Sequence, residues 1–170
     1  MYNYDSQELA LQNDIRNMRR ENDRRNRPQR VVLNTSTGGL GPLPVITTTF
    51  SEPLAVVDVS INTCGMRRPT ILLNFSSIIS LPLGISVTLN FQLLRSTDDS
   101  PAVKVGSTYT FATLVDILEA RSFGFQYGDN DVVPGKYTYS VILTTNSLID
   151  ITPGLTIPNA TLSALAVDNR

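Results

Sequence analysis

The side chains that could carry acid–base chemistry in this chain of 170 residues are carboxylates, because the sequence contains no histidine. Histidine-dependent triads and histidine-ligated metals are therefore excluded. No GxSxG, P-loop or GxGxxG motif occurs either. A glycosidase would need two carboxylates facing each other across a cleft. The acidic pairs close enough in sequence are Asp116 with Glu119, Asp98 with Asp99, and Asp129 with Asp131. Tryptophan is absent and most aromatic residues fall on core-like positions, so we predict that the protein is not an enzyme.

The segment Asp129-Asn130-Asp131 offers the oxygen ligands that calcium prefers. It lacks the glycine and the later bidentate glutamate of an EF-hand loop, so a polar hairpin loop is the favoured interpretation. We expect no metal, no cofactor and no small-molecule ligand.

Cys64 is the only cysteine, which excludes an intrachain disulfide and a cysteine-based zinc site. The residue could pair between chains. The favoured interpretation is a buried free thiol in a reducing compartment. Cys64 is kept as a candidate assembly residue.

The N-terminal segment MYNYDSQELALQND has no apolar core of the signal-peptide type. No stretch approaches the ~18 uninterrupted apolar residues of a membrane span. We expect synthesis in the cytosol and no membrane partner.

The composition describes a packed domain with a weakly charged surface: 41% of residues are hydrophobic, 17% are charged and the net charge is −1. This balance points neither to nucleic acid nor to an acidic partner. Serine and threonine together number 33, against two lysines. Hydroxyl groups cost less to desolvate than ions, so such a surface is easily buried against copies of itself.

The elements that must position these residues are strands. In Ile85–Arg95, ISVTLNFQLLR, Val87, Leu89, Phe91 and Leu93 alternate with polar residues, which predicts a central strand. Further strands are predicted at Val45–Phe50, Leu54–Asn62, Thr70–Phe75, Ala102–Val105, Ser107–Phe111, Ser122–Tyr127, Lys136–Thr145, Ile149–Thr152, Leu155–Ile157 and Ala160–Val167. Helical spacing predicts one short helix over Thr113–Arg121. Eight to ten short strands separated by turns predict an all-β, two-sheet antiparallel jelly-roll sandwich. The last strand should lie inside a sheet.

The chain divides into a charged helical arm (residues 1–30), a Gly/Pro-containing connector (31–44) that could also be an edge segment, and the sandwich (45–170). Asp5 and Glu8 resemble a capping box, and Pro28 ends the helix. Leu11, Ile15 and Met18 share one helical stripe. A stripe this narrow is marginal alone, so the helix must pack on its own body, bundle with other copies or fray.

The same arm holds seven of the 14 basic residues and five of the 15 acidic ones. Its arginines could neutralise phosphates, as in basic arms of small viral capsid proteins. The interleaved carboxylates argue against nucleic acid and suit contacts between subunits. The arginines kept as candidate assembly residues are Arg16, Arg19, Arg20 and Arg24.

From Cys64 to Val167 the sequence resembles an uncharacterised domain family of spore-forming Firmicutes, chiefly clostridia. The motifs that carry the resemblance are Cys64-Gly65 followed by PTILLNF, then SVTLNFQLLR, SFGFQY and NATLSALAV. The resemblance implies a small jelly-roll component of a spore surface or appendage, with an N-terminal connector and no catalytic residues.

We therefore expect a structural protein that self-associates, as trimers, into a fibre or surface layer outside the cell or on the spore. The arm would join successive units and bury its apolar stripe. The alternative is a viral or phage capsid-like jelly-roll protein with a basic N-terminal arm.

Overall fold

A computed structural model of the chain describes residues 4–25, 30–43, 53–82, 85–115, 119–144 and 154–169. One helix precedes eight strands within these residues. The elements are α1 (Tyr4–Arg25), β1 (Val31–Leu40), β2 (Leu54–Asn62), β3 (Pro69–Leu81), β4 (Ile85–Thr97), β5 (Ser100–Val115), β6 (Glu119–Asp129), β7 (Lys136–Thr144) and β8 (Thr156–Asp168).

The eight strands form two four-stranded antiparallel sheets, in the orders β1-β8-β3-β6 and β2-β7-β4-β5. Strand β1 pairs with β8, β2 with β7, β3 with β6 and β4 with β5, as in a long antiparallel hairpin wrapped around a barrel. This pairing order is the jelly roll, so the predicted fold class is confirmed. We call β1-β8-β3-β6 the first sheet and β2-β7-β4-β5 the second.

The core lies between the two sheets and follows from the alternation of the strands. In β3, every second residue from Pro69 to Leu81 is buried, and the residues between them face outward. Leu89, Phe91 and Leu93 of β4 are each 0% exposed, in agreement with a central strand paired with β5 on one side and β7 on the other. The rings of Phe75 and Phe91 meet between the sheets with centroids 5.6 Å apart.

Strand β1 lies in the segment predicted as the connector. Residues 31–40 pair with β8 of the same chain from Val31↔Val167 to Leu40↔Ile157, so they form an edge strand of the first sheet. The division into an arm, a connector and a sandwich from residue 45 stays a prediction. Strand β8 lies between β1 and β3, which confirms that the last strand is inside a sheet.

The helix predicted over Thr113–Arg121 is wrong for the described part of that segment. Residues 113–115 belong to β5 and residues 119–121 to β6; residues 116–118 lie outside the described residues. The ladder between β6 and β3, which starts at Leu81↔Glu119, overrides the local helical spacing. The predicted strands at Val45–Phe50 and Ile149–Thr152 also lie outside the described residues.

The two strands expected on either side of Gly106 are one strand, β5, with a bulge. Phe91 pairs with Tyr109 and Leu93 with Val105, so one residue of β4 opposes three residues of β5. Gly106 has a φ of 69°, in the left-handed region that favours glycine. An added Cβ there would lie 2.9 Å from Cδ2 of Tyr127.

Candidate assembly surfaces

The first candidate surface is the apolar stripe of α1. Leu11, Ile15 and Met18 are 64%, 46% and 69% exposed, so the described part of the domain does not cover them. We call these three residues the helical stripe. Every described side chain from 11 to 21 is exposed, so the described part of the domain covers none of these residues. The three packing modes expected for the helix stay predictions.

The charged residues of α1 surround the stripe. Arg16, Arg19 and Arg20 are exposed, as are Asp14 and Glu21. The side chain of Arg24 lies outside the described side chains, although its backbone is helical. Both signs of charge therefore share the same helical surface. Within the described residues, no helix is long and apolar enough to cross a membrane.

A second surface, which the sequence interpretation missed, covers the outer face of the first sheet. Val31, Leu33 and Leu72 are 54%, 65% and 42% exposed. The register places Leu165 between Leu33 and Leu72 on the same face. We call Val31, Leu33, Leu72 and Leu165 the outer apolar patch. A signal existed in the sequence, because VVL and ALAV are apolar at successive positions and must therefore expose apolar groups on one face.

Next to this patch the same face becomes polar. Thr35 pairs with Ser163, Ser163 with Asn74, and Asn74 with Gln126, which makes one polar row across all four strands. The Thr35 hydroxyl donates to Oγ of Ser163 at 3.1 Å. The expected hydroxyl-rich sheet face is therefore present, and the outer apolar patch borders it.

Cys64 lies in the turn between β2 and β3, and it is exposed rather than buried. Its carbonyl oxygen accepts a hydrogen bond from Nη1 of Arg30 at 2.7 Å, and its backbone N–H donates to Oδ1 of Asn62 at 2.8 Å. The prediction of a buried thiol is wrong because these bonds hold the turn at the surface. No described contact brings Cys64 to the helical stripe, so the two candidate interface features are separate.

The acidic pairs considered for catalysis serve other purposes where the structure describes them. Asp98 and Asp99 form an exposed turn between β4 and β5. Glu119 forms an ion pair with Arg121, and Asp116 lies outside the described residues. The described residues contain no group of three or more side chains able to hold a metal ion.

Asp129 is the exception in burial, since it is 1% exposed. Its carboxylate accepts from Nη1 of Arg95 at 3.0 and 2.8 Å and from the hydroxyl of Tyr139 at 2.9 Å. Arg95 and Tyr139 belong to the second sheet and Asp129 to the first, so these three residues form a polar clamp between the sheets. Burial, and then the charge of Asp129, raises the pKa of Tyr139 well above its usual value. The carboxylate of Asp129 is bonded to side chains of the same chain, so we interpret the polar clamp as structural.

Comparison with known proteins identifies the family of the sandwich but gives no activity for it. The family model described as "Domain of unknown function (DUF4489)" matches residues 30–167, from the residue before β1 to the penultimate residue of β8. No curated protein matches the sequence.

Several solved structures resemble the chain. A chain of the infectious bursal disease virus Gx strain is 8% identical with a TM-score of 0.49, and the match covers 81% of this chain and 32% of the viral one. Eiger TNF from S. frugiperda is 11% identical with a TM-score of 0.45, over 85% of this chain and 94% of that one. The D431N mutant VP2 protein of infectious bursal disease virus, from derived T=1 particles, is 10% identical with a TM-score of 0.36, over 81% and 31%. This chain thus spans about a third of the length of the viral chains. At these scores the likenesses carry no functional inference.

Proposed function

Since this chain belongs to the DUF4489 family, whose description states no activity, we propose from its surfaces that it is a structural subunit that assembles with copies of itself. The N-terminal arm of one copy contacts the jelly roll of the next. The product is a fibre, appendage or layer outside the cell. The spore surface comes from the family resemblance alone, and the trimeric state is the expectation stated in the sequence analysis. The expectation that the protein is not an enzyme forms part of the same proposal.

The observation that carries the proposal is that one molecule exposes two apolar surfaces of matching length. The helical stripe extends over the seven residue steps from Leu11 to Met18, which at 1.5 Å per step is about 10 Å. The row Leu33–Leu165–Leu72 crosses two strand spacings, which is also about 10 Å. The stripe of one copy can therefore cover the outer apolar patch of another. Because the two surfaces differ, the contact is head-to-tail and generates rings or open filaments.

The strength of one such contact can be bounded. Fully burying a large apolar side chain contributes about 1.5–3 kcal/mol. The six exposed side chains of the two surfaces, all except Leu165, are about half exposed, so together they contribute on the order of 6 kcal/mol. Association costs at least about 4 kcal/mol in lost freedom. A single arm contact is thus weak and reversible, and stable assemblies need each subunit to make several contacts.

The test replaces the stripe in the full chain by Leu11→Ser, Ile15→Ser and Met18→Ser together. The matched control changes three exposed polar residues of the same helix, Gln12→Ser, Asn13→Ser and Asn17→Ser. Sedimentation velocity and negative-stain imaging should show large assemblies for the native and control chains and their loss for the stripe variant. Equal assembly of the stripe variant and the control would refute the arm as the connector.

The alternative function is a capsid-like protein whose arm binds nucleic acid. The observation in its favour is that Arg16, Arg19 and Arg20 are exposed and free to meet phosphates. It predicts co-purified nucleic acid, visible as an elevated ratio of nucleic-acid to protein absorbance, and affinity for a DNA or RNA oligonucleotide that falls steeply with salt. The structural proposal predicts protein-only assemblies that bind neither oligonucleotide.

A further inference from the structure

The two sheets have four edge strands, and one of them differs from the others. Strands β1, β2 and β5 each have an irregularity in their ladder, at Gly38/Leu40, at Ala55/Val57 and opposite Phe91/Leu93. Within the described residues, β6 pairs with β3 without any irregularity over eleven consecutive positions, from Glu119 to Asp129. Bulges are a common means of preventing an edge from pairing with another chain, and β6 has none.

The edge of β1 is covered by β2. Nδ2 of Asn34 donates to the carbonyl of Ser60 at 2.6 Å, and a Cβ added at Gly38 would lie 2.4 Å from the carbonyl of Val56. At the opposite side of the sandwich, β5 meets β6 through rings, with the centroids of Tyr109 and Phe125 3.8 Å apart. No ladder joins β5 to β6 in the described residues. The backbone groups of β6 that point away from β3 therefore have no strand partner there.

The side chains of β6 also lack the usual protection of an edge. The strand contains no lysine and no proline, and its middle part, SFGFQYG (residues 122–128), carries no charge. Ser122, Gly124, Gln126 and Gly128 face outward and are exposed, so no bulky group blocks a neighbouring strand. The aromatic residues that alternate with them are Phe123, Phe125 and Tyr127. Their rings are half-buried, so an added strand would bury them further.

We propose that β6 pairs with β6 of a second copy, antiparallel about a two-fold axis, which joins two first sheets into one eight-stranded sheet. The rings select the register. Centring the pair on Phe125 places Phe125 opposite Phe125 of the other copy, and Phe123 opposite its Tyr127. Centring it on Gly124 would instead leave Tyr127 opposite Arg121. The Phe125-centred register therefore aligns all three rings of β6 with rings.

This contact is independent of the proposed function. It uses the same surface on both copies and closes as a dimer, whereas the arm contact is head-to-tail. The stripe variant described above should therefore lose large assemblies and remain dimeric. Loss of the dimer in that variant would overturn the independence of the two contacts.

The first experiment traps the register by cross-linking. The full chain carries Cys64→Ser together with Ser122→Cys and Gly128→Cys. In the proposed register, the cysteine at position 122 of each copy faces the cysteine at position 128 of the other copy. Mild oxidation should give a disulfide-linked dimer on a non-reducing gel. Each single-cysteine variant is the control and should stay uncross-linked, because it faces Gly128 or Ser122 in the other copy. Absence of cross-linking in the double variant, with both thiols reactive to a labelling reagent, would overturn the proposal.

The second experiment uses charge. All variants are made in the stripe variant, which lacks the arm contact and is expected to be a dimer. There, Ser122→Glu with Gly128→Glu sets glutamate against glutamate and should make the protein monomeric in sedimentation velocity. Ser122→Lys with Gly128→Lys should do the same, and mixing the two variants should restore a dimer. The matched control is Thr35→Glu with Thr37→Glu, exposed on the outer face of β1 at the other edge of the same sheet. Thermal unfolding checks that each variant is folded. A folded glutamate variant that dimerises like the control would refute the pairing.

Discussion

Replacing Asp129 by asparagine tests whether the polar clamp holds the two sheets together. The substitution keeps the size of the side chain and removes the charge that faces Arg95 at 2.8 Å. Removing one partner of a buried ion pair costs about 3–5 kcal/mol. The side chain of Arg95 is 24% exposed and can be partly solvated, so we expect the lower end, about 3 kcal/mol. The hydroxyl of Tyr139 keeps an amide oxygen as acceptor, which prevents a larger loss.

The assay is equilibrium unfolding in urea of the dilute full chain, followed by tyrosine fluorescence. The Asp129→Asn variant should unfold at a lower urea midpoint with the same slope, because the surface exposed on unfolding does not change. The matched control is Asp131→Asn, two residues away and exposed, which should change the free energy of unfolding by less than about 0.5 kcal/mol. Equal effects of the two variants would refute the view that Asp129 is the centre of an inter-sheet clamp.

Three further predictions follow from single positions. The pKa of Tyr139 is raised in the folded state, so its contribution to the free energy of unfolding is full below about pH 10. Above that pH the contribution is lost, by up to about 1.4 kcal/mol per pH unit. Plots of the free energy of unfolding against alkaline pH should show this extra slope for the native chain and not for Tyr139→Phe. Gly124→Ala should lower the melting temperature, at a cost of about 1–3 kcal/mol, because its Cβ would lie 2.7 Å from the carbonyl of Phe75, while Gly128→Ala, with no atom within 4 Å, should not; equal melting temperatures would contradict the close approach. Cys64 should react with a thiol reagent in the native protein as fast as in urea, since it is exposed; protection in dilute native protein would show that the turn is covered.

The interior of the sandwich could be predicted from the sequence because it depends on a local pattern. Leu89, Phe91 and Leu93 alternate with polar residues, and period two is enough to place them on one buried face. The number of strands and the turn signals then led to the jelly roll. Edge strands were harder, because β1 exposes most of its side chains and carries no clear alternation. Its partner, β8, is more than a hundred residues away in sequence.

The candidate surfaces also differ in whether a local sequence pattern reveals them. The helical stripe was visible as a spacing of four and three residues, whereas the outer apolar patch combines residues of β1, β3 and β8 that only the register brings together. The clamp between Arg95 and Asp129 joins residues 34 positions apart, and the local sequence around Asp129 resembled a polar loop. Patterns within one element reveal which face is apolar, but they do not reveal which elements are neighbours.

The position of β8 between β1 and β3 has a consequence for biosynthesis. Strand β8 is the last strand of the sandwich to be synthesised, both of its neighbours pair with it, and β1 has no other strand partner in the described sheets. A nascent chain therefore cannot close its first sheet until β8 has left the ribosome, since these pairings join residues far apart in sequence. The outer apolar patch, which spans β1, β8 and β3, forms at the same step. Under the proposed function, a chain that has not yet made β8 lacks a complete acceptor surface for the arm of another copy.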